Sequence, residues 1–128
     1  MTGNLLLVAA GGGAGAILRY LLSLAFGRGL FGAWPWPTFT ANIAGGLAMG
    51  LLAGWLSLRG GGDHERIRLL LGVGLLGGFT TFSAFSLETL MMVERRALGQ
   101  AALYAGLSVV LATSAVFLGL LVMRRVLA

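Results

Sequence analysis

The chain has 128 residues, 58% of them hydrophobic, with no cysteine, a net charge of +5 and only 10% charged residues, against roughly 25% in soluble globular proteins. This composition excludes a soluble domain, disulfides, thiolate nucleophiles and cysteine-held metals. All nine cations are arginines scattered over loops and helix ends, a distribution that suits anionic lipid headgroups and gives no nucleic-acid footprint.

A membrane-spanning helix needs about 20 mostly apolar residues, so the chain divides into about four spans and little else. The expectation is an all-α, multi-pass integral membrane protein forming a single domain over residues 1–128. The first span runs from about Leu5 to Phe26 and carries Arg19 inside it. No basic region precedes it and it is too long for a cleaved signal peptide, so it is read as part of the mature protein. The linker RGLFGAWPWPT follows, with Trp34 and Trp36 suited to the headgroup level. Pro35 and Pro37 force extended geometry before them, and Pro37 can begin a helix. The second span covers about 38–58. In the next loop, RGGGDHER, Asp63 is an N-cap candidate and Glu65 suits the positive end of the following helix. The third span covers about 67–93 and the fourth about 100–123, closed by Arg124 and Arg125.

Glycine fills 22 positions, and many recur at intervals of four: Gly11 and Gly15; Gly46, Gly50 and Gly54; Gly74 and Gly78. Such faces let helices approach closely in lipid. Four spans place both termini on one side. Arg59, Arg66, Arg68, Arg124 and Arg125 lie there, against Arg28, Arg95 and Arg96 opposite. That bias is weak, so either orientation can insert. Copies facing opposite ways can pair as an antiparallel dimer with twofold symmetry, resembling the inverted repeats of many transporters.

The third span contains GGFTTFSAF at 77–85. Double glycine beside two β-branched residues predicts that the helix breaks near its centre. Unpaired backbone groups at membrane depth must be buried in protein, or face water or an ion. Freed carbonyls suit a hard cation such as Na⁺, shared on the dimer axis; a glycine kink packed on a neighbour, with no ion, is the plainer alternative. Phe82 and Phe85 fall near one face of the resumed helix. They are either bulk or electropositive ring edges that, with Thr80, Thr81 and Ser83, coordinate a small anion. Asn42 offers two amide donors, for an interhelical bond or for an ion path. Tyr104 and Ser108 form a short polar stripe on the fourth span that ends at Ala112; it lines a pathway or bonds back to its own helix. Arg19 either snorkels or lends positive potential to a vestibule, and Glu88 faces a partner, a vestibule or the membrane surface.

GGGAGAILRY at 11–20, TFTANIAGG at 38–46 and GGFTTFSAF at 77–85 resemble the three signature segments of the CrcB/Fluc family of fluoride channels, over the whole four-span chain. Before Asn42 the family usually reads Gly-Thr-Leu-x-Val-Asn, and here Pro37-Thr38-Phe39-Thr40-Ala41-Asn42 stands instead. The resemblance implies a dual-topology antiparallel homodimer in the bacterial inner membrane, with two pores that pass F⁻ passively out of the cytoplasm and confer fluoride resistance. It implies that Asn42, Phe82 and Phe85 line the pore, with Thr81 and Ser83 among the hydroxyls and Tyr104 and Ser108 as the polar track. It also implies a structural Na⁺ on the Gly77 and Thr80 carbonyls, and Arg19 as the arginine of the first signature.

An enzyme is not expected: His64 is alone in a loop and the four carboxylates are dispersed. With no lysine, there is no Gly-Lys phosphate-binding loop. Two rivals stand beside the channel. One is a proton-coupled small multidrug-type transporter using Glu88. The other is a non-transporting assembly subunit held by its glycine faces.

Overall fold

The structure is a computed structural model that describes residues 1–26, 34–59 and 61–127. Residues 27–33 lie outside the described residues, and with them Arg28 and most of the first linker.

The described residues form helices throughout: α1 (Thr2–Phe26), α2 (Trp36–Arg59), α3 (His64–Ile67), a π-helical stretch (Arg68–Leu76), α4 (Gly77–Phe79), α5 (Phe82–Glu94) and α6 (Leu98–Leu127). Four helical lengths are long and apolar enough to cross a membrane: Thr2–Phe26, Trp36–Arg59, His64–Glu94 and Leu98–Leu127. Asp63 stands at the N-cap of α3 but its side chain makes no capping bond. Glu65 instead pairs with Arg68 one turn on, through Arg68 Nη2 at 2.6 Å and Nε at 3.1 Å. Between α5 and α6 the chain reverses through Arg96 at φ 63°.

Glycine decides how the helices pack. α1 lies on the π-helical stretch and α4, and α2 lies on α6. At the first interface a Cβ on Gly74 would stand 2.9 Å from the Gly11 Cα. At the second, a Cβ on Gly119 would stand 2.6 Å from both the Leu47 carbonyl oxygen and the Leu51 nitrogen. Backbone therefore touches backbone at both interfaces, a contact that any side chain would prevent. Large apolar side chains point outwards instead, among them Leu5, Leu24, Val109 and Phe117. That arrangement suits lipid, which offers apolar surface no reason to hide.

The two halves of the third span have different neighbours. Its first half packs on α1, while α5 leans mainly on α6. Thr80 (φ −87°, ψ 157°) and Thr81 (φ −152°, ψ 125°) between them are extended. Thr81 caps α5, its hydroxyl accepting from the Ala84 amide at 3.1 Å. The π-helical turns just before carry one extra residue per hydrogen-bonded loop, a feature that apolar periodicity does not signal.

Candidate functional site

α2, the third span and α6 converge at the extended pair. Asn42, near the start of α2, faces Thr81: its Oδ1 accepts from the Thr81 amide at 2.9 Å, and its Nδ2 donates to the Thr81 carbonyl at 3.1 Å. One primary amide thus satisfies both backbone groups of a residue that has left the helix, as buried polar groups require. The Thr80 hydroxyl donates to the Leu76 carbonyl at 2.8 Å, and the Thr80 amide reaches the same carbonyl at 3.0 Å. From the other side, Arg19 Nε of α1 donates to the Gly78 carbonyl at 3.3 Å. Arg19 therefore ties α1 to the third span and does not simply reach for the membrane surface.

These bonds bear on the two carbonyls of interest. In a continuous helix the Gly77 carbonyl would accept from the Thr81 amide and the Thr80 carbonyl from the Ala84 amide. Here the Thr81 amide serves Asn42 and the Ala84 amide serves the Thr81 hydroxyl. The helical donors of both carbonyls are thus diverted.

A cavity of about 280 Å³ opens beside the extended pair. Asn42, Thr80, Thr81, Phe82, Phe85 and Ser108 line it, and Val109 and Ala112 close it along α6. No charged side chain is among them. The Phe82 and Phe85 rings lie 5.7 Å apart, with Phe82 78% exposed in the single chain. Ser83 sits outside this lining and its hydroxyl pairs with that of Thr81 at 3.2 Å. The Ser108 hydroxyl is buried and does not bond back to its helix; it has no partner among the described residues. The Tyr104 ring, one turn earlier, packs tilted against Phe85, with centroids 5.2 Å apart.

Glu88 lies where α2, α5 and α6 meet. Its carboxylate accepts from the Thr38 hydroxyl at 3.0 Å and from the Tyr104 hydroxyl at 3.0 Å. Glu88 is thus held by two neutral donors and has no cationic partner in these contacts. Thr38 escapes a reading of the sequence alone because it looks like an ordinary first-turn residue; its place four residues before Asn42, on the same face of α2, was the available signal. Trp34 and Trp36 pack on the same cluster, Trp34 at 5.4 Å from Phe39 and 5.3 Å from Tyr104, so the interfacial indoles are tied to the core.

The family of CrcB-like proteins, Camphor Resistance (CrcB), matches residues 6–120. A fluoride-specific ion channel FluC of Caulobacter sp. (strain K31) is 58% identical over 124 residues, 96% of each chain. The protein of that name from Phenylobacterium zucineum (strain HLK1) is 62% identical over 124 residues, 97% of this chain and 98% of its own. That from Rhodopseudomonas palustris (strain BisB5) is 47% identical over 121 residues, 94% of this chain and 97% of its own. With four helices able to cross a membrane and a match running nearly end to end, the chain is a multi-pass protein of the bacterial inner membrane and belongs to the CrcB family.

Proposed function

We propose that the chain is a passive, fluoride-selective channel that lets F⁻ leave the cytoplasm. The observation that carries the reading is the uncharged cavity where an amide, hydroxyls and two phenylalanine rings meet beside the extended Thr80–Thr81 pair. Fluoride is small, strongly hydrated and a strong hydrogen-bond acceptor, so a narrow path must replace its water with placed donors. Asn42, Thr81 and Ser108 supply polar groups at the cavity, Ser83 and Tyr104 stand beside it, and Phe82 and Phe85 present electropositive ring edges. A fixed cation among them would hold the ion and slow its departure. Arg19 and Glu88 stand at the margins, where they set the potential an approaching ion meets. The driving force is the fluoride gradient together with a negative-inside potential, worth about 2.3 kcal/mol per charge per 100 mV.

The working unit in this reading is an antiparallel homodimer with two pores. Its support is the weak arginine bias of the sequence and the apolar faces the single chain leaves open, Phe82 among them. In this reading a structural Na⁺ would lie at the dimer centre, held by the Gly77 and Thr80 carbonyls; its support is that their helical donors are diverted. When bound, it supplies a positive charge that fastens the two third spans together.

Glu88 favours a second reading, proton-coupled transport, because it is a carboxylate inside a span and linked to two hydroxyls. Glu88→Gln separates the two. A channel still passes fluoride, whereas a proton-coupled exporter loses its coupling. The first reading is tested by ion efflux from liposomes loaded with fluoride or chloride, and chloride-like leakage of both ions would overturn selectivity.

A further inference from the structure

The aromatic side chains at the site form a row. Phe82 meets Phe85 at 5.7 Å, Phe85 meets Tyr104 at 5.2 Å, and Tyr104 meets Trp34 at 5.3 Å with the rings near perpendicular, at 84°. The row ends on an unusual group. The Trp34 indole Nε1 is buried and has no hydrogen-bond partner among the described residues. A donor left in that state is costly, so native proteins pair such groups with protein, water or ligand. Among the described residues its ring neighbours are Trp36, Phe39 and Tyr104. The Tyr104 hydroxyl donates to Glu88, and the indole makes no bond to it.

We infer that the Trp34 indole N–H is an anion-binding donor, a fluoride subsite at the far end of the Phe82–Phe85–Tyr104–Trp34 row. The inference rests on the channel reading for the identity of the ion. Its own ground is the unpaired N–H. The indole is a donor only, carries no charge, and cannot be reversed into an acceptor. It therefore offers a desolvated small anion what the Asn42 amide offers nearer the cavity, a hydrogen bond without the grip of a fixed cation. Phe39 and Trp36 hold the ring in place, and Tyr104 connects it to the cavity side of the row. The ion, on this account, exchanges between the Tyr104 region and the indole as it approaches or leaves the membrane surface.

The test uses the full chain, labelled with ¹⁵N at its three tryptophan indoles and held in micelles. Trp34→Phe assigns the Trp34 signal by its disappearance and keeps a ring in the aromatic row. Titration with sodium fluoride is expected to move the Trp34 indole proton downfield and to saturate, while sodium chloride leaves it in place. Reconstituted Trp34→Phe is expected to pass fluoride roughly tenfold more slowly, the loss of one hydrogen bond to a charged group, with the other two indole signals unmoved. An indole signal that ignores fluoride overturns the subsite, and so does a Trp34→Phe rate equal to the parent's. If the parent itself passes no fluoride, the channel reading fails, and the indole titration still decides whether Trp34 binds the ion.

Discussion

Asn42→Ala removes both bonds that hold Thr81, the 2.9 Å bond from its amide and the 3.1 Å bond to its carbonyl. Thr81 is extended, so no helical partner stands ready to replace the amide group. Net hydrogen bonds contribute about 0.5–1.5 kcal/mol each in soluble proteins, and about 0.6 kcal/mol on average between membrane helices. Two bonds therefore amount to about 1–3 kcal/mol, near the lower end if water enters the cavity. A loss of about 1.4 kcal/mol already shifts a two-state ratio tenfold. The assay is reversible unfolding of the purified protein in mixed micelles, followed by circular dichroism, with fluoride efflux measured on the same preparation. Efflux should fall further than stability does, because the Asn42 amide also lines the cavity. An Asn42→Ala protein with parental stability and parental efflux would refute both the clamp and the donor role.

Two glycines of α1 make a matched pair. A Cβ on Gly15 would run into the Leu75 carbonyl oxygen and stand 2.8 Å from the Phe79 nitrogen, so Gly15→Ala should destabilise by about 1–3 kcal/mol in the same unfolding assay. Gly13 has nothing within 4 Å, so Gly13→Ala should be neutral or stabilising by up to about 1 kcal/mol. Phe82→Ile should leave the secondary structure of the chain unchanged, since the ring is 78% exposed there, yet sharply slow fluoride efflux; an unchanged rate would take Phe82 out of the ion path. Glu88→Gln should keep fluoride efflux independent of a pH gradient, and an efflux that becomes newly uncoupled from protons would favour the transporter reading. Replacing Na⁺ with a bulky organic cation during purification should weaken dimerisation, measured by single-molecule subunit exchange in bilayers, and unchanged dimerisation would remove the cation from the account.

The four spans were legible because apolar length and terminal arginines announce membrane helices directly. The glycine intervals were legible as a spacing of four, and Gly11, Gly15, Gly50 and Gly74 do stand against backbone, whereas Gly119 lies outside those intervals. Other features depend on contacts between distant segments. Asn42 and Thr81 are 39 positions apart, and nothing local ties the amide of one to the backbone of the other. Thr38, Glu88 and Tyr104 come from three helices, so their meeting follows from how the spans pack. The same holds for Arg19, whose guanidinium finds a carbonyl of the third span in place of the membrane surface. Asp63 shows the reverse: a residue type suited to capping that makes no capping bond where it stands. The π-helical turns of Arg68–Leu76 are hidden because the same leucines and glycines read equally well as α-helix.

Fluoride efflux from liposomes holding the purified protein, with a K⁺ ionophore to dissipate charge and chloride-loaded vesicles alongside, tests the central claim most directly. Rapid fluoride release with little chloride release is the predicted result. No fluoride release from well-folded protein would contradict the account and turn attention to proton-coupled transport through Glu88.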